Sequence, residues 1–330
     1  MRAIVVSKPG EFAYTEAPDP APARDGVVVR VGACGICGTD LHILEGEFAP
    51  TPYPIIPGHE FAGEVVAVGE DARGALSVGD RVAVDPSLFC GHCEACRQGR
   101  GNLCQNWGAV GDTVDGAFAE LVAVPAANAY RIPPEMTWAE AALVEPVSCA
   151  VHGTDRLGPV LGEDVLVVGA GTMGLLLMQL LVRAGASSVT VADLVPQRLA
   201  VATSLGASDV AGSLDDLAGS RFSVVVDASG APAAIEQALS LVRRGGRFMV
   251  FGVAPSEARV SMSPFQIYND EVTVIGSMAV LHSYGRALQL LAAGALRTGE
   301  LLTPALPLAS YGEAIAQVRA GQGVKTQLVP

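Results

Sequence analysis

Four of the seven cysteines fall within FCGHCEACRQGRGNLC, residues 89–104. Cys90, Cys93, Cys96 and Cys104 run C-x2-C-x2-C-x7-C, a spacing that wraps four thiolates around one tetrahedral zinc. Four thiolates leave no coordination position open for a substrate, so the expected chemistry is structural rather than catalytic. Disulfides fit less well: partners three residues apart close strained loops, and an odd number of cysteines suits a reducing compartment. His92 lies inside the loop and can compete as a ligand, but with four cysteines present it is expected at the surface. A second chemistry-bearing stretch is GAGTMG, residues 169–174, a G-x-G-x-x-G between the all-apolar VLVV (165–168) and a helical run. In that setting Gly169 makes the turn, Gly171 lets the backbone approach a pyrophosphate and Gly174 lets helix and strand pack closely. Amides near Thr172 and Met173 then face the phosphates. Asp193 ends the next strand, where a carboxylate accepts both ribose hydroxyls and repels a 2′-phosphate. Its neighbour Leu194 offers no compensating cation, which predicts NAD over NADP. Arg198 is the one basic residue close by, either a cofactor contact or a solvated residue of the next helix.

These residues need elements to hold them. From residue 1 to about 135, Gly and Pro interrupt short β-rich runs such as VVVRVG (27–32), EFAGEVVAVG (60–69) and AFAELVAVP (117–125). That punctuation predicts an irregular, barrel-like β domain. Thr137 with Glu140 is a capping box that opens a helix. Beyond it, VLVV (165–168), a helix over 172–184, VTVA (189–192), a helix from Pro196, VVVD (224–227), a helix entered through Pro232 and FMVFG (248–252) alternate. Alternation of this kind predicts βαβ units and a parallel sheet with helices on both faces. Two further helical patterns and a closing strand near Lys325 to Val329 complete the chain.

Composition narrows the partners. Half of the residues are hydrophobic, and 21 Lys+Arg against 34 Asp+Glu give a net charge of −13, which disfavours nucleic acid. The start MRAIVVSKPG reads as a first strand rather than a signal peptide. VLVVGAGTMGLLLMQLLV (165–182) carries no charge over roughly a membrane span, yet its three glycines mark a strand-to-helix turn. No membrane association is expected, and the cytoplasm is the expected location.

In this order, GICGTD, PGHEFAGEVVAVG, CGHCEACRQGRGNLC, LVEPVSCAVH and GAGTMG resemble the zinc-containing medium-chain dehydrogenase/reductases, the alcohol dehydrogenase family, over nearly the whole chain. The pair Glu145-Pro146 is similar to the polyol (sorbitol-type), butanediol and threonine-related branches. The resemblance implies an α/β fold: a GroES-like β-rich catalytic domain over 1–146 with two zinc sites, and a Rossmann doubly wound parallel sheet domain over 147–283. A C-terminal segment over 284–330 then returns to the catalytic domain. It further implies a homodimer or homotetramer.

Carried over residue by residue, Cys37 and His59 match the ligands of the catalytic zinc. Asp40 matches the carboxylate that orients the ligand histidine and fixes its tautomer, and Thr39 and His42 match a proton relay from substrate oxygen toward solvent. Cys34 matches no ligand position and is expected as a small buried hydrophobe. The third ligand is open between Glu60 and Glu145. Adjacent residues of a strand face opposite ways, so His59 and Glu60 share a metal only if Pro57-Gly58 bends the chain. One glutamate at a time is expected, because zinc with Cys37 thiolate, neutral His59 and one carboxylate is neutral, whereas a second carboxylate weakens alkoxide binding.

The resemblance therefore implies zinc-dependent hydride transfer between NAD and a secondary alcohol (a sugar alcohol, vicinal diol or related polyol), giving a ketone. An L-threonine 3-dehydrogenase-like or amino-alcohol or aminocyclitol dehydrogenase is the alternative. Sorbitol-type enzymes carry an aromatic and an arginine where this chain has Met278 and Ala279, and a tyrosine where it has Ile43. Sorbitol itself therefore fits less well than other alcohols. A zinc-free reductase of the superfamily would lack Cys37, His59 and the cysteine cluster.

Overall fold

The computed structural model describes residues 1–47 and 51–330. Contacts divide the chain into two compact units, Met1–Ser148 with Val280–Pro330, and Cys149–Ala279.

In the first unit β-branched runs form a seven-stranded sheet. Its order is Leu306–Pro307, Gln327–Val329, Gly26–Gly35, Glu60–Val68, Arg81–Val84 and Ala129–Arg131, with Leu121–Pro125 also paired to Gly26–Gly35. Ile4, Val29, Phe61, Val82, Phe118, Tyr311 and Leu328 meet in its core. The register matters for chemistry. Gly35 lies opposite Glu60 on one side and Gln327 on the other, so the chain's last strand is delivered beside the segment that follows His59. Helix Gly38–Glu45 starts directly after this strand with Cys37 as its N-cap and ends on Gly46 in the left-handed conformation, φ 78°. Of the expected strand 117–125 only Leu121–Pro125 forms. Residues 117 and 118 instead donate their N–H groups to Gly58 and Pro57.

The second unit is a six-stranded all-parallel sheet in the order Asp209–Ala211, Ser188–Ala192, Asp164–Val168, Phe222–Asp227, Val242–Val250, Thr273–Gly276. This is the doubly wound order, which reverses beside Asp164–Val168 and so places GAGTMG at the switch point. Helix Thr172–Arg183 buries every residue from Gly174 to Leu181, which explains its uncharged sequence. Among the described residues no helix is long and apolar enough to cross a membrane. The strand read at 248–252 begins earlier and stops at Val250, because Phe251 and Gly252 turn their N–H groups to the Asp227 carbonyl. Helix Pro264–Asp270 and strand Thr273–Gly276 lie where the sequence pattern gave no element. Their signals were local: Ser263 caps the helix by accepting from the Gln266 N–H, and Pro264 opens it.

Candidate metal centre and dinucleotide site

The cysteine loop leaves strand Ser87–Leu88 and returns to its partner Gly108–Ala109. Ligand atoms of Cys90, Cys93, Cys96 and Cys104 lie within 4.8 Å of one another. Cys104 Sγ is 3.5 Å from Cys90 Sγ and 3.8 Å from Cys93 Sγ, matching the edge of about 3.8 Å in a tetrahedron of Zn–S bonds of about 2.3 Å. Backbone N–H groups point at the sulfurs, from Cys93 to Cys90 and from Cys90 and Asn106 to Cys104. The N–H groups of His92 and Cys93 draw the Cys90 thiol down to about 6, and backbone N–H groups also lower Cys93. Desolvation and its neighbouring sulfurs push Cys96 up to about 12. A bound metal would have to displace the remaining thiol protons, so its binding would release protons and depend on pH. His92 is exposed, with Nδ1 2.7 Å from the Cys90 carbonyl.

The second cluster is built where Gly26–Gly35 ends. Cys37 Sγ lies 3.2 Å from His59 Nε2. Gly58 sits at φ +98°, a conformation glycine adopts freely, and the resulting bend puts the neighbours His59 and Glu60 on one centre. Ligand atoms of His59, Glu60 and Glu145 lie within 4.8 Å of one another, as do those of Cys37, Asp40 and His59. Glu145 comes from the first turn of helix Val144–Leu157. Thiolate, imidazole and carboxylate donors at these separations suit zinc. Burial disfavours an imidazolium at His59, but the Asp112 carboxylate and the Cys37 sulfur flanking it hold its pKa well above the ordinary value. Thr39 and His42 lie three apart on helix Gly38–Glu45 and so share a face.

Asp40, expected to orient His59, is anchored on its own helix and shares the position beside His59 with a second carboxylate. Asp40 Oδ2 accepts the Cys37 N–H at 2.8 Å, closing the helix's capping box, and burial lifts the Asp40 carboxyl to about 6. Its other oxygen, Oδ1, is buried without a hydrogen-bond partner, and its carboxylate stays within 4.8 Å of the His59 and Cys37 donor atoms. The atom facing His59 Nδ1 is Asp112 Oδ1, at 3.0 Å.

Two further groups have no counterpart in the expected site. Lys325, 2% exposed, donates to the Ile36 carbonyl at 2.9 Å and pairs with Glu60. Burial pulls this lysine's pKa down, but the Glu60 carboxylate, the Cys37 sulfur and the Asp40 carboxylate together outweigh it and the net is upward. The pair passes over Gly35, where a Cβ would stand 2.2 Å from Glu60 Oε2 and 2.8 Å from Lys325 Cε. A lysine two residues before the closing strand was the available signal. Glu47 is the other, with Oε2 2.8 Å from His42 Nδ1.

In the second unit Gly169, at φ +101°, turns out of the strand, and Gly171 N-caps helix Thr172–Arg183. A Cβ on Gly171 would meet open space, whereas one on Gly174 would lie 1.8 Å from the Gly169 carbonyl oxygen. The first is room for a ligand and the second is close packing. Thr172 and Met173 form the first turn of that helix, whose N-terminal amides suit phosphate. Asp193 accepts from Ala170 N at 2.6 Å and from Val195 N at 2.8 Å, which fixes its carboxylate beside the glycine turn. Arg198 is half-buried on the following helix, and Leu194 is 82% exposed.

Residues 23–134 match the model of the alcohol dehydrogenase GroES-like domain, and 172–293 that of the zinc-binding dehydrogenases. D-arabinitol dehydrogenase 1 of Uromyces fabae is 37% identical, covering 100% of this chain and 97% of that protein. The chain belongs to the zinc-binding alcohol dehydrogenase family. D-altritol 5-dehydrogenase of Agrobacterium fabrum is also 37% identical, over 93% of each chain. The crystal structure of a zinc-binding dehydrogenase from Sinorhizobium meliloti, bound to NADP, superposes with a TM-score of 0.95 at 33% identity, covering 100% of this chain and 99% of that one. Like other alcohol dehydrogenases, this member is an oxidoreductase with a GroES-like domain and a Rossmann domain.

Proposed function

We propose that this alcohol dehydrogenase oxidises a secondary alcohol of a polyol to the ketone with NAD. The reading rests above all on His59, whose donor atoms gather with Cys37 in one cluster and with Glu60 and Glu145 in another, near a helix that presents Thr39 and His42 on one face. Cys37, His59 and Glu145 hold the catalytic zinc, while Lys325 keeps Glu60 engaged and neutralised as an alternate carboxylate. With this division one glutamate would hold the metal, and thiolate plus carboxylate would leave a zinc(II) set neutral. A zinc ion there supplies Lewis-acid polarisation that brings the alcohol's pKa toward neutrality. Thr39 accepts the alcohol proton and passes its own to His42, and Glu47 orients the imidazole at the solvent end. The four cysteines hold a second, structural zinc.

The arabinitol and altritol relatives support a polyol substrate. Asp193 and the uncharged, exposed Leu194 favour NAD. Seven free thiols suit the reducing cytoplasm. Strand Thr273–Gly276 is a sheet edge with Val274 43% exposed, and Phe265 and Tyr268 on the preceding helix are 70% and 81% exposed. A second copy pairing along this edge would cover them, which supports a homodimer or homotetramer.

The test is a screen of pentitols, hexitols, vicinal diols and amino alcohols with zinc-loaded protein and NAD, followed at the nicotinamide absorbance. Turnover of pentitols or hexitols is expected, and exclusive use of amino alcohols would refute the polyol assignment. In the same assay Asp193→Ala should narrow the preference for NAD over NADP by roughly 10- to 100-fold, since it removes hydrogen bonds to a charged acceptor of about 1.5–3 kcal/mol. An unchanged ratio would count against ribose recognition by Asp193.

A further inference from the structure

We propose that Asp112 is the positioning residue for the catalytic metal ligand His59. The inference rests on the zinc centre proposed above. A neutral imidazole carries one donor and one acceptor nitrogen. A carboxylate facing Nδ1 keeps the proton there and leaves the Nε2 lone pair for a metal, and Nε2 is the nitrogen that lies 3.2 Å from Cys37 Sγ. Asp112 is 5% exposed and His59 7%. His59 Nδ1 and Asp112 Oδ1 lie 3.0 Å apart as a close pair without the alignment of a directed hydrogen bond, and neither atom has a hydrogen-bond partner elsewhere among the described residues.

The backbone shows why the two side chains meet. Gly116 N donates to the Ile56 carbonyl at 2.6 Å, Ala117 N to Gly58 at 2.8 Å and Phe118 N to Pro57 at 2.9 Å. Asp115 Oδ1 accepts from Ile56 N at 2.9 Å. Residues 115–118 are therefore sewn to 56–58, which lead directly into His59. Gly111, next to Asp112, approaches so closely that a Cβ there would lie 2.4 Å from the Gly58 carbonyl oxygen. Within its own turn the loop is held by Asp112 N to the Ala109 carbonyl at 3.1 Å and by Ala109 N to Thr113 Oγ1 at 2.9 Å. The carboxylate thus rides on backbone bonded to the backbone that carries the imidazole. A buried carboxylate is costly to desolvate, and its place beside a ligand histidine gives that cost a use.

The experiment measures zinc affinity in the full-length protein by competition with a chromogenic chelator, and the visible spectrum after cobalt substitution. Asp112→Ala should weaken one zinc equivalent by about 10- to 100-fold, leave the cysteine-bound equivalent unchanged and shift the cobalt bands. Asp112→Asn, whose amide oxygen still accepts from Nδ1–H, should recover part of both effects. Unaltered affinity and spectrum in both variants would overturn the assignment. So would equal weakening of both equivalents together with a lowered unfolding midpoint, since a purely architectural role predicts that. Cys37→Ser in the parallel titration separates the two readings: if it removes no zinc equivalent, the zinc centre is wrong and Asp112 falls with it. If Cys37→Ser removes one while the Asp112 variants match the parent, only the positioning role fails.

Discussion

Replacement of Cys37 by serine is expected to cost one zinc equivalent and at least about three orders of magnitude in kcat. The alcohol that must lose a proton has a pKa near 16, about that of water, against about 6.5 for an unperturbed histidine. The Thr39–His42 relay alone would face a gap of roughly nine units, or about 12 kcal/mol. Lewis-acid catalysis supplies several kcal/mol of that difference, and each 1.4 kcal/mol or so is tenfold in rate. A serine hydroxyl replaces a thiolate with a poorer, protonated donor at the position 3.2 Å from His59 Nε2. Metal analysis of the purified variant, set beside its initial rate of NADH formation, decides the matter. A variant with full zinc content, or with turnover within tenfold of the parent, would show that the reaction does not depend on this centre.

Lys325→Met should destabilise the first unit strongly, by about 3–5 kcal/mol. Lys325 and Glu60 are 2% and 3% exposed, and removing the ammonium leaves a buried carboxylate uncompensated. Adding Glu60→Leu to the same chain should restore most of the loss, because two apolar groups filling the space above Gly35 leave no charge stranded. Denaturant titrations of the parent, the two single variants and the double variant form a complete cycle. Additive effects would mean that the two charges do not stabilise one another, and the role given to Lys325 at the metal centre would lapse.

What the sequence disclosed follows from how far apart the cooperating residues are in the chain. The glycine turn and Asp193 sit on one strand–helix–strand unit, so spacing and residue type sufficed to foresee their geometry. The cysteine cluster is likewise local, and its sulfurs converge within one loop. The α/β division was legible for the same reason, since each βα unit announces itself by periodicity. Lys325 and Asp112 were not legible as partners. Each reaches the centre through strand register or loop packing set by distant residues: Gly35 between Glu60 and Gln327, and Gly111 against Gly58. The resemblance supplied Asp40 as the carboxylate for His59, whereas the carboxylate oxygen 3.0 Å from His59 Nδ1 is that of Asp112. Strand Thr273–Gly276 escaped notice because it is short and exposed, lacking the apolar run of a buried strand.

The stem of the cysteine loop, where Ser87–Leu88 pairs with Gly108–Ala109, ends on the residue whose carbonyl anchors the Asp112 amide. The loop that gathers the four sulfurs and the turn that faces His59 therefore share one piece of backbone, and the strand pair that opens the first also fixes where the second begins.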